Sequence, residues 1–278
     1  MTPIRLLTPD PGWKNAADIA EIAQQIAVLR GLGLVFETKP WTDPAAADHP
    51  GLIIPLMAWG YHQRQAQWLD LLDRLGGCRV LNPVSVLRWN WDKAYLIELA
   101  QKHVPVVPTL SVAALEQADL ATARAQFGTA DLVIKPPISA GADGTYLLRD
   151  HAPAPQAALG KPTMIQPMMP AIASEGEFSL IWFGGAFSHA VLKTPQSGDF
   201  RVQSQFGGTD QAVTPEPAAL ACAQAALACA PEPVAYARVD MVRDATGGFA
   251  IMELELIEPY LWLDLAPDGG RGFVAALA

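Results

Sequence analysis

Apolar residues along the first third of the chain alternate between two spacings, and each spacing predicts a different element. Residues 4–7, 34–37 and 52–57 read as short apolar strands. Residues 16–29 carry apolar side chains at helical intervals, and residues 61–75 do the same with Trp68, Leu71, Leu72 and Leu75 on one face. Strands alternating with helices imply a parallel sheet covered on both sides, so residues 1–81 are expected to form a Rossmann-like α/β lobe. No Gly-x-Gly-x-x-Gly follows the first strand, and the fingerprint of a dinucleotide-binding oxidoreductase is missing from its place.

The pattern changes near Asn82. Residues 92–102 read as a helix capped by Asp92 or Asn90, and residues 111–126 as a second helix after a Pro-punctuated stretch. Residues 132–135 and 145–148 are strands flanking the loop PPISAGADG, so residues 82–163 are expected to be a small α+β lobe with a long mobile tip. Residues 151–162, rich in Ala and Pro, read as a connector. From 164 to 278 the strands are 164–166, 178–183, 187–193, 237–242 and 249–256, with a helix at 217–229. A mostly antiparallel sheet covered by helices is expected there, and no internal repeat is seen.

Composition narrows the function. A chain of 278 residues with 51% hydrophobic and 17% charged positions is an ordinary globular protein with room for two or three lobes. Its net charge of -9 argues against a nucleic-acid backbone as partner, although a single polyphosphate site needs few cations. The beginning, MTPIRLLTPDPGWKN, lacks the pattern of a secretory signal, and no apolar run is long enough to span a bilayer. Cys78, Cys222 and Cys229 have neither disulfide-framework nor zinc spacing. A cytoplasmic enzyme without a membrane partner is the expectation.

The chemistry-bearing residues concentrate late in the chain. Glu253 and Glu255 are two apart in a strand and project to the same side, and a hairpin can bring Asp240 alongside. Three converging carboxylates repel unless a cation lies between them, which suits Mg²⁺; the alternative is a solvated polar face. Lys135 ends the apolar strand LVIK and enters the Gly-rich loop, where a point charge and close backbone N–H groups suit a polyphosphate; the alternative is a solvated lysine in an ordinary loop after an edge strand. Lys93 opens a helix, and Lys193 and Arg201 flank a Gly-containing segment where they can neutralise a phosphoryl group; each also reads as a plain surface cation. His62, His103, His151 and His189 share no ligand spacing, and the tryptophans near 59 and 89–91 read as core.

Taken in order, these features resemble the ATP-grasp superfamily over residues 82–259: lysine at a helix start, lysine before a Gly-rich loop, hinge strand, Arg segment, then Asp…Glu-x-Glu. IQPMMPAI, KTPQSGDFR and MELELIEP are similar to bacterial glutathione synthetases and ribosomal-protein glutamate ligases. LNPVSVLRWNWDKAYL and KPPISAGADGTYL look closer to a group that includes the cyclo-ligase of the D-cycloserine pathway, which closes O-ureido-D-serine into a ring. The resemblance implies two α+β lobes sandwiching ATP after a pre-ATP-grasp lobe, and a ligase that makes an acyl phosphate for attack by a nitrogen nucleophile. It implies ATP phosphates on Lys93 and Lys135 under a lid of Ser139, Ala140, Gly141 and Gly144. Adenine would lie on the hinge of Gln166, Met168 and Met169, with Glu177 on the ribose. Lys193 and Arg201 would act on the phosphoryl group, and Asp240, Glu253 and Glu255 would bind Mg²⁺. Glu255 stands where glutathione synthetases have Asn, and IEPYLWL replaces their substrate-side residues. The implied partners are an amino-acid-like carboxylate and amine, with the first lobe and residues 184–197 around the acceptor; a homodimer is left open. A non-catalytic ATP sensor of the same fold is the alternative.

Overall fold

In the computed structural model, which describes residues 3–13, 16–196, 201–202 and 207–277 (backbone alone for 16–18), the neighbours Leu6 and Leu7 enter two different hydrophobic cores. Both lie in β1 (Ile4–Thr8), the centre of a four-stranded parallel sheet with β2 (Glu37–Pro40), β3 (Leu52–Ile54) and β4 (Arg79–Val80) in the order β2-β1-β3-β4. Strand side chains alternate between faces, and here both faces are covered, which is why all three residues of β3 are buried. One face carries α1 (Ala16–Gly31), through Ile22 and Leu29; the other carries α2 (Gln65–Arg74), through Trp68, Leu71 and Leu72. The second strand begins at Glu37, not at 34, and residues 61–75 divide into a 3₁₀ turn, Tyr61–Gln63, and α2.

The chain then forms α3 (Val84–Asn90), α4 (Tyr95–Gln101), β5 (Leu110–Val112), α5 (Gln117–Phe127), β6 (Leu132–Lys135), β7 (Tyr146–Leu148) and β8 (Thr163–Pro167). Four of these strands make an antiparallel sheet in the order β5-β8-β6-β7, packed on α5 through Leu120, Ala123, Leu132, Ile134 and Ile165. The expected helix at 111–126 is shorter because residues 110–112 pair with β8. The helix starts instead at a capping box, with the Glu116 N–H donating to Asp119 Oδ2 at 2.8 Å. β8 crosses the expected 163/164 division and belongs to this small sheet.

The last part comprises α6 (Ala171–Ser174), β9 (Glu177–Phe183), β10 (Ala186–Thr194), β11 (Thr209–Val213), α7 (Pro217–Leu227), β12 (Tyr236–Arg243), β13 (Phe249–Glu255) and α8 (Arg271–Ala275). Its antiparallel sheet has the order β11-β10-β9-β12-β13. One face is apolar throughout: Phe178, Leu180, Trp182, Val239, Met241 and Leu254 pack against α4 and α7. The opposite face is divided. Ile181, Phe183 and Val191 pack on the first lobe, while the other end of the same face is polar and lines a cavity.

Two buried asparagines tie the lobes together. Asn82 donates to Tyr236 O (2.9 Å) and Leu256 O (2.8 Å) and accepts from Ala235 N (2.6 Å) and Tyr236 N (3.3 Å). Asn90, expected to cap a helix, instead donates to Leu254 O (2.8 Å) and accepts from Leu256 N (2.9 Å). Asn82 bridges the start of β12 and the continuation of β13, and Asn90 satisfies backbone groups at the end of β13. Asn82→Ala orphans buried backbone groups of Tyr236 and Leu256, each costing about 1–3 kcal/mol. A loss of about 3 kcal/mol or more in urea unfolding is expected; a change under about 0.5 kcal/mol would show that water replaces the side chain.

Candidate active site

Strand register places the polar residues on one surface. Asp240 on β12 faces Ser179 on β9 and Glu253 on β13; Arg238 faces Glu255; Glu177 on β9 faces Lys193 on β10. All lie on the side opposite Leu254 and Val239, so the period-two rule that paired Glu253 with Glu255 also brings Arg238 beside Asp240. The small sheet stands over this surface. Between the two sheets and the first lobe lies a cavity of about 1180 Å³, large enough for a nucleotide and a second small molecule together.

Lys193, Arg201, Lys93, Lys135, Ser139, Ala140, Gly141, Gly144, Gln166, Met169, Glu177, Asp240, Glu253 and Glu255 all line this one cavity. Met168 does not, and its N–H is engaged by Asp131 O at 3.0 Å. Of the 184–197 stretch, residues 186–194 are strand β10 and only Lys193 reaches the cavity, while Ser197 lies outside the described residues. The first lobe does contribute, through Trp13, Trp59, Gly60, Tyr61, His62 and Gln63. His62 and Trp59, read as structural from the sequence, are therefore part of the wall.

The cations and carboxylates interlock. Lys193 pairs with Glu177 and with Asp240 Oδ2 at 3.4 Å. Arg238 donates to Asp240 Oδ1 and Oδ2 at 2.9–3.1 Å, pairs with Glu255, and lies 5.4 Å from the Trp262 ring. Ser179 Oγ donates to Asp240 Oδ1 at 2.5 Å. Burial pushes Asp240 up, but Arg238 and Lys193 overcome it and hold the carboxyl at about 2. Burial also raises Glu177 against the pull of Lys193, and raises Glu255 to about 7 despite Arg238.

Lys93 pairs with Glu253 Oε1 at 3.2 Å and donates to Ser139 O and Oγ, while its own N–H bonds Pro137 O at 2.9 Å. The Gly-rich loop is thus fixed at its base. Gly144 has φ +71°, and a Cβ there would come within 2.9 Å of Pro136 Cγ, so the turn requires glycine. At the tip, Asp143 reaches His62 of the first lobe at 3.4 Å. Lys135 differs from the other cations: it is buried, and among the described residues its ammonium has neither an ion pair nor a hydrogen bond. Burial lowers its pKa; Glu253 pulls it back up, and Lys93 adds repulsion.

The expected metal trio is not a ready cage: among the described residues no three acidic, His or Cys side chains converge to hold an ion. Arg238 occupies the space between Asp240 and Glu255. Glu253 and Glu255 nevertheless remain partly open to the cavity, with side-chain exposures of 29% and 27%. This oxygen-only pair fits Mg²⁺, which takes one or two carboxylates and completes its shell with phosphate and water.

Glu255 makes stability pH-dependent. Its folded pKa of about 7 lies above the unfolded value, so its contribution is full below about pH 4.5 and is lost as pH rises through 7. Glu255→Gln should therefore flatten the fall in urea-unfolding free energy between pH 5 and 8; an unchanged slope assigns that fall to another group.

Two lobes closing on a cavity that places lysines opposite paired carboxylates define an ATP-grasp ligase, and the comparisons agree. Residues 5–82 match the family described as the N-terminal domain of D-cycloserine synthetase DcsG. The cycloserine biosynthesis protein DcsG of Streptomyces lavendulae is 31% identical over 282 residues, covering 91% of each chain. The crystal structure of D-cycloserine synthetase DcsG superposes with a TM-score of 0.83 at 27% identity, covering 99% of this chain and 98% of that one. The ATP-grasp ligase PsnB, solved with minimal precursor, Mg and ADP, has a TM-score of 0.62 at 12% identity, covering 99% and 98%. The chain belongs to the DcsG family of ATP-grasp enzymes. It is an ATP-dependent ligase that forms carbon–nitrogen bonds, and the sensor alternative falls away. None of its helices, among the described residues, is long and apolar enough to cross a membrane.

Proposed function

We propose that this ligase phosphorylates the carboxylate of a small amino-acid-like substrate with ATP, and that a nitrogen of the same molecule then attacks the acyl phosphate to close a ring. The observation that carries the ATP half is Lys135, a buried ammonium with no ion pair among the described residues, lining the same cavity as Glu253 and Glu255. The ring-closing half is supported by the relative's name, D-cycloserine synthetase, and by the first lobe, which matches that family and walls the acceptor end of the cavity.

Lys93 and Lys135 would bind phosphate oxygens, with N–H groups of the Ser139–Gly144 loop beside them. Val107, Val133, Met169, Ile172 and Met252, which line the cavity, would offer an apolar slot for adenine, with polar edges at Gln166 and Met169. Gln166 is oriented by Thr109 at 2.9 Å, and Glu177, steadied by Lys193, would reach the ribose. Glu253 and Glu255, supported by Asp240, would hold Mg²⁺, which when bound spreads charge over the β- and γ-phosphate oxygens. Lys193 and Arg201 neutralise the phosphoryl group in flight, and the loop excludes water that would hydrolyse the acyl phosphate.

The test is ADP release with Mg²⁺ and O-ureido-D-serine, alone and with a panel of amino acids, followed by mass spectrometry. ADP formed with a single substrate, together with a cyclic product, supports the reading. A strict need for two different substrates would sink ring closure.

A further inference from the structure

The segment after β13 carries a carboxyl that the chemistry above does not use. Glu258 lies in the cavity wall where the first lobe meets the large sheet. The carboxylates assigned so far all have cationic partners: Glu177 has Lys193, Asp240 has Arg238 and Lys193, Glu253 has Lys93, and Glu255 has Arg238. Among the described residues Glu258 has no ion-pair partner, and the Tyr61 hydroxyl beside it favours the charged form of its carboxyl. An unpaired carboxyl in a desolvated wall costs stability, and such costs concentrate at functional sites.

Its position is fixed as firmly as that of a strand residue. Three successive carbonyls are held by side-chain donors: Leu256 O by Asn82 Nδ2 at 2.8 Å, Ile257 O by the Tyr236 hydroxyl at 2.7 Å, and Glu258 O by Trp59 Nε1 at 2.8 Å. The donors come from the first lobe, from the junction after it and from β12, so Glu258 is placed by the whole acceptor end of the cavity. Such support from surrounding hydrogen bonds is what holds a reacting group in a productive geometry.

From this placement we infer that Glu258 is the general base of the ligation step. As the C–N bond forms, Glu258 takes the proton from the attacking nitrogen. The bond between the carbonyl carbon and the phosphate oxygen breaks, and its electron pair leaves with inorganic phosphate. Lys93, Lys193 and Arg238 are tied in ion pairs as proton-bearing groups, and Lys135 is assigned above to the ATP phosphates. Burial, then Glu255 and Glu253, raise the Glu258 carboxyl well above the ordinary range, with Lys93 and the Tyr61 hydroxyl acting in the opposite sense; Tyr236 is the other titratable neighbour. A carboxylate raised in this way is a stronger base near neutral pH. The assignment rests on the ligase reading above and adds the route of the proton.

Hydroxylamine separates this step from activation, because it captures an acyl phosphate without a protein base. With ATP, Mg²⁺ and O-ureido-D-serine, Glu258→Gln should lower cyclic product by about 10²-fold. Hydroxamate formation should stay within about threefold of wild type. Tyr61→Phe removes a donor that favours the charged carboxyl, so the acid limb of the rate profile should move to higher pH, a shift that packing damage alone does not give. A ¹³C-NMR titration of Glu258 in the ligand-free protein needs no substrate: a midpoint above the ordinary Glu range, raised further in Tyr61→Phe, supports the assignment. An ordinary midpoint of about 4.3 overturns it, as does product formation by Glu258→Gln within about threefold of wild type. Wild type that makes hydroxamate but no ring would instead count against ring closure, and the titration then decides the role of Glu258.

Discussion

Lys135→Met lowers ATP-dependent turnover by about 10³-fold, the upper range for losing one preorganised electrostatic group, while the ligand-free protein becomes more stable. The two effects have one cause. The Lys135 ammonium is buried in the cavity wall with no ion pair among the described residues, and the attraction of Glu253 does not offset its burial and the repulsion of Lys93. Methionine keeps the length and the apolar stem and removes a buried charge whose desolvation outweighs the pull of the nearby carboxylates. Burial has lowered the folded-state pKa, so the unfolded chain binds this proton more tightly. Wild-type stability therefore gains a contribution as pH rises through the lowered folded value toward 10.5, and the variant lacks it. Thermal melts with and without ATP read both effects: the melting temperature rises without nucleotide, and the shift on adding ATP is lost. A variant that melts lower and still shifts with ATP would remove Lys135 from the phosphate site.

The place of Lys135 in the cavity wall was legible because LVIK is a short apolar run that ends at a Gly-rich loop. Glu253 and Glu255 were legible because a strand puts residues two apart on one face. The same rule, applied to ARVDMV, yields Arg238 beside Asp240, but a carboxylate cluster directs attention to metal and away from a resident arginine. The helix read at 111–126 failed at its beginning because apolar spacing runs unbroken through Val112 and Leu115. The actual start is a Glu116–Asp119 box, and Glu is not among the usual capping residues. β11 (TDQAV) escaped because it is a largely exposed edge strand with no apolar run. Met168 was given a hinge role by resemblance, whereas local pairing commits its N–H to Asp131.

The acceptor end was the least legible part, and the reason is physical. Trp59 and His62 lie far in sequence from Glu258, and only packing between the first lobe and the large sheet makes them neighbours. Trp59 Nε1 donating to Glu258 O joins residues 199 apart in sequence. No periodicity within either segment records such a contact. The three buried clusters that meet at this junction each draw residues from more than one lobe, so the cavity is a property of the assembled fold.

Arg238→Met is expected to destabilise the ligand-free protein by about 3–5 kcal/mol, the cost of leaving buried carboxylates without their cation. Arg238 makes three contacts with Asp240, pairs with Glu255 and packs over Trp262. Without it, Asp240 retains Lys193 and Ser179, but Glu255 retains no partner. Urea unfolding reads the loss, and combining the variant with Glu255→Gln should recover part of it, because the second change removes the orphaned charge. The same pair tests the metal. Arg238 competes with any divalent cation for Asp240 and Glu255, so Mg²⁺ should raise the melting temperature of Arg238→Met more than that of wild type. Equal shifts in the two proteins would mean that Mg²⁺ is held elsewhere and that the acidic face of β12 and β13 is a structural ion-pair network. A larger shift in the variant would show that the arginine keeps the carboxylates apart and ordered until nucleotide and metal arrive.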